Sequence, residues 1–196
     1  VLFLGLALAI GAAILFLGRR EADSLSASKP LQQLVEQTIS RPGYVPYAQI
    51  APFLLEATVC VEDARFYEHG AVDIIGLTRA ALSQLIPGME KSGGSTISQQ
   101  VVKNLYQQFH GGLEWKAAEF RLADQLEKIL TKNEILALYV NIINYGDSNI
   151  GIAQAAKNYF NYTPADLTDA EASLLAGIPQ NPANFQLSNH AANAKR

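Results

Sequence analysis

The chain has 196 residues, a formal net charge of −3, and 15 lysines and arginines scattered along its length. It therefore lacks the basic patch by which nucleic-acid-binding proteins attract phosphate, and no nucleic-acid partner is expected. The single cysteine, Cys60, excludes an internal disulfide framework, and its position between two valines predicts a small core residue.

The first 18 residues, VLFLGLALAIGAAILFLG, carry no charge. A helix that spans a bilayer needs about 20 apolar residues, so we predict a transmembrane anchor over residues 1–18. A buried core helix and a secretory signal are the alternatives, although no small-residue cleavage site precedes RREADS. Arg19 and Arg20, taken alone, favour a cytoplasmic location for the residues after the span.

A polar connector is predicted over residues 19–45, followed by a folded domain over residues 46–196. The connector ends in SRPGYVPY, whose prolines and glycine interrupt any helix. Beyond it, apolar residues recur at helical spacing almost throughout. Capping residues, among them Asp73, Thr96, Asn133 and Thr168, and helix breakers predict helices over residues 52–67, 74–86, 97–109, 113–131, 134–145 and from 169 on.

Helical phase separates the two neighbouring acids of VCVEDARFYEHG, residues 59–70. At about 100° per residue, one apolar stripe of this helix is formed by Phe53, Ala57, Cys60, Val61 and Ala64. Asp63 lies on a flank, as a solvated or capping charge would. Glu62 has apolar neighbours, namely Leu55, Val59 and Phe66. Such neighbours raise a carboxyl pKa and suit proton transfer, whereas a salt-bridged surface glutamate is the alternative.

A second carboxylate interrupts the long helix predicted over residues 113–131. Glu119 lies near the middle of an apolar stripe formed by Trp115, Leu122, Leu126, Ile129 and Leu130. A carboxylate in that position is costly unless it has a partner or a task. It is either a buried structural pair with Lys or Arg or, together with Glu62, one of the paired carboxylates of a glycosyl-transfer site.

The stretch GGSTISQQVVKN, residues 93–104, adds a candidate anion site. Two glycines precede a capped helix start, where free backbone N–H groups favour phosphate. Hydroxyl, amide and ammonium groups are supplied by Ser95, Thr96, Ser98, Gln99, Gln100 and Lys103. The spacing matches neither a Walker A loop nor a dinucleotide-binding fingerprint.

Together these stretches resemble the family 51 peptidoglycan glycosyltransferases, the lipid II polymerases, which include monofunctional enzymes and N-terminal domains of bifunctional penicillin-binding proteins. EDARFYEH is similar to the first family motif at Glu62, Asp63, Phe66 and His69. GGSTISQQVVKN resembles the second motif and WKAAE the third, at Lys116 and Glu119. KNEILALYVNIINYG and EASLLAGIPQNP resemble the fourth and fifth. The matches come in family order over about residues 46–190.

Two positions depart from the family pattern. The glycine expected two residues after His69 is displaced, so that Gly70 is followed by Ala71. Trp115 stands where the third motif has arginine. The resemblance therefore leaves open the shape of the first turn and part of the basic lining for a diphosphate.

The resemblance implies a mainly α-helical fold, with a lysozyme-like lobe and a small membrane-associated jaw at about residues 74–112. From the residues alone, an ordinary core helix explains the apolar side chains after Asp73 equally well. The family also implies a single-pass protein of the bacterial plasma membrane whose catalytic domain is extracytoplasmic. Expected partners are lipid II, the growing glycan chain, the bilayer, and cell-wall synthesis or division proteins.

The resemblance further implies that Glu62 is the general base of an inverting glycosyl transfer. Glu119 would assist it or hold a divalent cation, Mg²⁺ or Mn²⁺. Contacts with substrate and diphosphate are implied for Ser95, Thr96, Gln99, Gln100, Lys103 and Lys116. Site-organising roles are implied for Asp63, Phe66, His69 and Asn141. Glu171 fits a helix cap, and Tyr139 belongs either to the core or to the cleft.

Two other functions stay open. A lysozyme-like hydrolase or lytic transglycosylase would use Glu62 as general acid on finished glycan, but it has no need of a diphosphate cleft or an anchor. A non-catalytic membrane-bound module that binds cell-wall precursor is favoured only by Trp115 in place of arginine.

Overall fold

The computed structural model describes the backbone of residues 2–86, 88, 93–108 and 112–190, and the side chains of residues 11–86, 88, 93–108 and 112–188. Within these ranges the chain is mainly α-helical, as predicted, and its only β pairing is an isolated bridge between Asn144 and Ile150. Helices α1 to α11 span Leu2–Ser28, Leu31–Ile39, Pro52–Glu62, Ile74–Leu85, Ile97–Leu105, Leu113–Ile129, Lys132–Ile142, Ile152–Phe160, Asp169–Gly177, Pro182–Phe185 and Leu187–His190. Short 3-10 turns cover Tyr47–Gln49 and Ile178–Gln180.

The core lies where α5, α6 and α7 pack against one another, while α3 packs against α9. Its fully buried side chains include Ile97, Val101, Leu122, Leu126, Leu136 and Tyr139. Each such aliphatic side chain stabilises the fold by about 1.5–3 kcal/mol relative to an exposed position. This core supports the end of α3 and the start of α5, where the candidate site is built.

Three helices begin at a threonine whose side chain and following acid or amide form a reciprocal cap. The predicted boxes of Thr96 and Thr168 are confirmed. The predicted cap at Asn133 is wrong, because Thr131 caps α7 and the Glu134 carboxylate accepts the Thr131 N–H at 2.7 Å. A threonine three residues before a glutamate satisfies two free N–H groups at once, so it outcompetes an asparagine within the first turn. The side-chain oxygen of Asn133 instead accepts a hydrogen bond from the Tyr67 hydroxyl at 3.0 Å.

Helix α3 ends at Glu62 rather than near Tyr67, because Asp63 leaves the helical conformation at φ −159° and ψ 73°. The predicted core stripe on this helix is also wrong, since the buried residues of α3 are Leu54, Leu55 and Thr58. Cys60 is exposed. The face of α3 that carries Cys60 borders a cleft, so apolar side chains on this face do not indicate a buried core.

The segment predicted as a polar connector is helical over most of its length. Helix α1 continues to Ser28 and packs along α6, with Ala22 fully buried and Asp23 paired to Arg121 at 3.2 Å. Gly18 lies so close to α6 that an added Cβ would be 2.3 Å from the Ala117 Cβ. Most residues of this segment are polar, so its narrow apolar stripe was not recognised from the sequence. Residues 19–39 belong to the folded domain.

No helix among the described residues is both long and apolar enough to cross a bilayer. The anchor predicted over residues 1–18 coincides with the start of α1, but residue 1 and the side chains of residues 2–10 lie outside those described. The anchor stays a prediction.

Helix α4 presents large apolar side chains to its surroundings. Its exposed large apolar residues, together with the one that follows the helix, are Ile74, Ile75, Leu77, Leu82, Leu85 and Ile86. Leu85 is 77% exposed, and the buried residues of α4 are Gly76 and Ser83. This excludes an ordinary core helix. Of the jaw predicted over residues 74–112, residues 87, 89–92 and 109–111 lie outside the described part.

Candidate active site

A cavity of about 960 Å³ opens between the end of α3, the start of α4 and the N-terminus of α5. Six of the predicted site residues line it: Glu62, Asp63, Ser95, Thr96, Gln100 and Lys103. These residues come from two motifs separated by about 30 positions in the chain, and the packing of α5 against the core places them around one space.

Glu62, the last residue of α3, is partly buried at the edge of this cavity. Its Oε2 accepts a hydrogen bond from Gln100 Nε2 at 2.9 Å. Its Oε1 is out of solvent and has no hydrogen-bond partner among the described residues. Burial raises the pKa of Glu62, the hydrogen bond from Gln100 and the nearby Tyr139 hydroxyl oppose that rise, and the charge of Asp63 adds to it. The predicted rise in the pKa of Glu62 is confirmed.

Asp63 is not on a solvated flank, because it is 9% exposed and ties the first turn to α5. Its Oδ1 lies 2.7 Å from His69 Nε2, and its Oδ2 accepts the Ile97 N–H at 3.1 Å. Nearby, the Thr96 hydroxyl donates to the Ala71 carbonyl at 2.7 Å. The chain leaves the helix at Asp63, which turns this side chain inward. Residues 63–71 and the start of α5 therefore form one hydrogen-bonded unit despite the displaced glycine.

A second cavity of about 350 Å³ shares Ser95, Gln100 and Lys103 with the first. It extends to Lys116 and Glu119 on α6 and is also lined by Trp115. Glu119 is 3% exposed and forms an ion pair with Lys116. Lys116 Nζ also donates to the Ser95 hydroxyl at 3.0 Å. The predicted burial of Glu119 is confirmed, and its partner is a lysine within the same motif.

Thr96 and Gln99 are part of the helix cap as well as of the cavity walls. Gln99 is 1% exposed, and its Oε1 accepts the Thr96 N–H at 3.0 Å. Gln99 Nε2 is buried and has no hydrogen-bond partner within the described part of the chain. Because Gln99 also lines the smaller cavity, this unused donor adds to the groups suited to an anionic ligand there.

Four residues that the sequence assigned to the site or left open lie outside both cavity linings: Phe66, His69, Tyr139 and Asn141. Phe66 is fully buried, and the Lys132 ammonium lies 4.4 Å from the centre of its ring. Asn141 holds the backbone of Val45, accepting its N–H and donating to its carbonyl at 2.8 Å each. Tyr139 is a core residue, although its hydroxyl reaches Gln100. Phe66 and Asn141 thus support the site from behind rather than lining it.

Acidic side chains occur at two places in this region, and neither place offers the ligands that a bound divalent cation needs. Glu119 is the only carboxylate among the described residues that line the smaller cavity, and its charge is met by Lys116. Asp63, His69 and Asp73 lie together, but both ring nitrogens of His69 already face oxygen acceptors. Mg²⁺ and Mn²⁺ prefer several oxygen ligands, which neither group leaves available.

Several residues of the larger cavity were not predicted as site residues. Among them are Cys60, Val61, Arg65, Asp73, Gly76, Arg79, Pro179 and Gln180. Arg65 lies inside the first motif and Gln180 inside the fifth, so motif membership was a usable signal for both. Arg79 lies on α4 with no local signal. The two arginines add basic groups to the larger cavity beside the predicted Lys103.

Replacing Lys116 with Met is expected to lower the free energy of unfolding by about 1–3 kcal/mol, because the buried Glu119 carboxylate loses its ionic partner. Urea denaturation measures the loss. The double variant Lys116→Met with Glu119→Gln should recover most of it, since no unpaired charge remains.

Lys128→Met is the matched control, because Lys128 forms an exposed pair with Asp124 and its loss should change stability by no more than about 0.5 kcal/mol. A double variant as unstable as Lys116→Met alone would show that the ion pair is not the cause.

Known proteins share sequence similarity with this chain. A family model described as transglycosylase matches residues 28–196. Penicillin-binding protein 1A of Neisseria gonorrhoeae is 44% identical over 132 residues, which are 67% of this chain and 16% of that protein. Penicillin-binding protein 1A of Rickettsia felis is 36% identical over 163 residues, 82% of this chain and 21% of that protein.

A Cupriavidus necator protein, named provisionally as a transglycosylase, is 40% identical over 174 residues, 88% of this chain and 74% of that protein. The chain therefore spans less than a quarter of these penicillin-binding relatives but most of the shorter one. The family match covers both cavities and all the residues that line them.

Proposed function

Because the chain belongs to the transglycosylase family, the family 51 peptidoglycan glycosyltransferases, we propose that it polymerises lipid II into β-1,4-linked glycan strands. The observation that carries this proposal is the position of Glu62. This carboxylate of raised pKa borders a large cleft, which continues into a smaller cavity bearing Lys103 and Lys116. A base beside an anion-binding space is what transfer from a diphosphate-linked sugar requires.

In the proposed reaction Glu62 takes the proton from the 4-hydroxyl of the acceptor sugar. The hydroxyl oxygen then attacks the anomeric carbon of the donor, the growing glycan chain. The bond from that carbon to the lipid diphosphate breaks, and the diphosphate leaves with the bonding electron pair. Attack opposite the leaving group inverts the anomeric configuration. A sugar hydroxyl is a weak nucleophile, so a base with a pKa closer to neutrality gives the larger acceleration.

We assign the leaving diphosphate to the smaller cavity. Lys103 and Lys116 supply positive charge there, and Ser95 and the Gln99 amide supply hydrogen-bond donors. Charge-assisted hydrogen bonds of this kind stabilise the negative charge that develops on the departing group. Glu119 would act through Lys116, keeping its ammonium at the cavity wall. Arg65 and Arg79 would serve the acceptor's diphosphate in the larger cavity.

The site-organising roles follow from the hydrogen bonds around the cleft. Asp63 and His69 would hold the turn that follows Glu62 against α5. Phe66 and Asn141 would support the same region from the core. Thr96 and Gln99 would shape the α5 N-terminus that faces the substrate. A shift of about 1 Å in such supporting groups is enough to slow a positioned reaction severely.

We further propose that the chain works at the plasma membrane with its catalytic domain on the extracytoplasmic side. A lipid-linked substrate is found in the bilayer, and the exposed apolar face of α4 next to the cleft suits insertion into its interface. The bilayer, the growing glycan and cell-wall synthesis or division proteins are the proposed partners. The anchor over residues 1–18 belongs to the same proposal.

The test is polymerisation of purified lipid II by the purified chain in detergent or vesicles. A ladder of glycan lengths on a gel is expected, together with release of polyprenyl diphosphate. Parallel reactions with Mg²⁺, Mn²⁺ or a chelator examine the predicted cation requirement. Absence of a ladder where a related enzyme produces one would reject the proposal, and shortening of finished glycan would identify a hydrolase or lytic transglycosylase instead.

A further inference from the structure

Tyr139 places a phenol hydroxyl inside the core directly behind the candidate base. The residue lies on α7 and is fully buried. Its hydroxyl donates to Gln100 Oε1 across 3.4 Å. Burial raises the pKa of Tyr139 well above its usual value, and the charge of Glu62 raises it further. The hydroxyl therefore keeps its proton and remains a hydrogen-bond donor at any working pH.

Gln100 connects this hydroxyl to the base. Its Oε1 faces Tyr139, while its Nε2 donates to Glu62 Oε2 at 2.9 Å. The two ends of an amide differ, since one accepts and the other donates. If the amide turned over, Gln100 Oε1 would face the Glu62 carboxylate with no hydrogen between them. That contact repels an ionised carboxylate and favours the protonated acid.

We propose that Tyr139 is a positioning residue for glycosyl transfer, holding the Gln100 amide in the orientation that donates to Glu62. This inference rests on the proposed role of Glu62 as general base. The hydroxyl donor satisfies Gln100 Oε1 and so makes the turned-over amide the costlier state, because that state leaves a buried donor and two facing acceptors. Tyr139 thereby favours the ionised form of the base, which burial disfavours.

Other charged or titratable groups also face Glu62 or line its cavity. They are Asp63, Tyr145, Arg65, Asp73, Arg79 and Lys103. Among the described residues, the Gln100 side chain hydrogen-bonds to Glu62 and Tyr139. Tyr139 is therefore the group whose removal acts on the orientation of the amide, whereas the others act on Glu62 through their charge or through burial.

The experiment compares the wild-type chain with Tyr139→Phe, which removes one oxygen and keeps the ring. The carboxyl of Glu62 is titrated by NMR with ¹³C-labelled glutamate, and Glu62→Gln identifies its signal. We expect the titration midpoint to move to higher pH by about 0.5 unit or more, the size of one ordinary hydrogen bond. The acid limb of the polymerisation rate should move by the same amount.

Tyr106→Phe is the matched control, because its buried hydroxyl donates to the Lys29 carbonyl at 3.0 Å and does not touch Gln100. It should leave the Glu62 midpoint unchanged. In a Gln100→Leu background, Tyr139→Phe should move the midpoint by less, because the amide is absent and only the direct effect of the hydroxyl on Glu62 remains.

An unchanged midpoint in Tyr139→Phe, or an equal shift in the Gln100→Leu background, would overturn the inference. Both readouts are titrations and need no turnover. If wild type fails to polymerise lipid II while the midpoint shifts as expected, the proposed function fails, whereas the action of Tyr139 on Glu62 through Gln100 is upheld.

Discussion

Replacing Glu62 with Gln is expected to lower the rate of lipid II polymerisation by about 10²–10⁴-fold, the usual contribution of a general base. The amide has the same size and can keep one hydrogen bond, but it cannot accept the acceptor's proton. Initial rates of glycan formation measure the loss. Glu56→Gln, an exposed position on the same helix outside both active-site cavities, is the control and should retain wild-type rates.

The pH dependence of stability distinguishes a Glu62→Gln variant that has lost its base from one that has unfolded. Burial raises its pKa, so the folded state holds the proton more tightly than the unfolded state. The stability linked to this group is therefore fully present below the unfolded pKa and is lost as pH rises through the raised folded pKa. Glu62→Gln carries no charge to desolvate and should be at least as stable as wild type at neutral pH.

Thermal unfolding at acidic and neutral pH checks this sign. The stability advantage of Glu62→Gln should grow as pH rises, and in wild type the acid limb of the polymerisation rate should lie above the ordinary range of glutamate. If Glu62→Gln is inactive and also less stable than wild type at neutral pH, the substitution abolishes activity by destabilising the fold.

Replacing Gly151 with Ala is expected to lower the free energy of unfolding by about 3 kcal/mol or more. Gly151 has φ +85° and ψ 157°, a backbone conformation open almost only to glycine. An added Cβ would also lie 2.3 Å from the backbone oxygen of Asn141, so the end of α7 has to move. That movement strains the contact between Asn141 and Val45 behind the site.

Urea denaturation of Gly151→Ala against Gly177→Ala measures this effect. Gly177 ends α9 with φ −80° and ψ −24°, and nothing lies within 4 Å of an added Cβ. Alanine there should be neutral or stabilising by up to about 1 kcal/mol. Equal denaturation midpoints for the two variants would contradict the steric account of Gly151.

Local features of the chain predicted much of the helical framework. Thr96 and Thr168 mark helix starts because each is followed at the third position by a residue that returns the hydrogen bond. The apolar neighbours of Glu62 and Glu119 along their helices predicted that both carboxylates lie away from open solvent, and Glu62 is partly buried and Glu119 buried. These features depend on neighbours within one or two turns, which the sequence displays directly.

The errors occurred where a helix met a surface that is not visible in its own sequence. Cys60 and Val61 looked like core residues because they are apolar, but their side of α3 borders the cleft. Asp63 looked solvated because the helix was extended past its end. Residues 19–45 were predicted as a polar connector outside the folded domain because their few apolar residues gain a partner only when α1 lies along α6.

By itself the sequence determined the helical class, most helix starts, the five motifs that place the chain in its family, and the two carboxylates in apolar surroundings. The tertiary structure alone decided which side chains meet. It brought Gln100 to Glu62, Ile97 to Asp63 and Ser95 to Lys116, pairs separated by 38, 34 and 21 residues. Periodicity reports only the face on which a residue lies, whereas such contacts depend on how whole helices pack against one another.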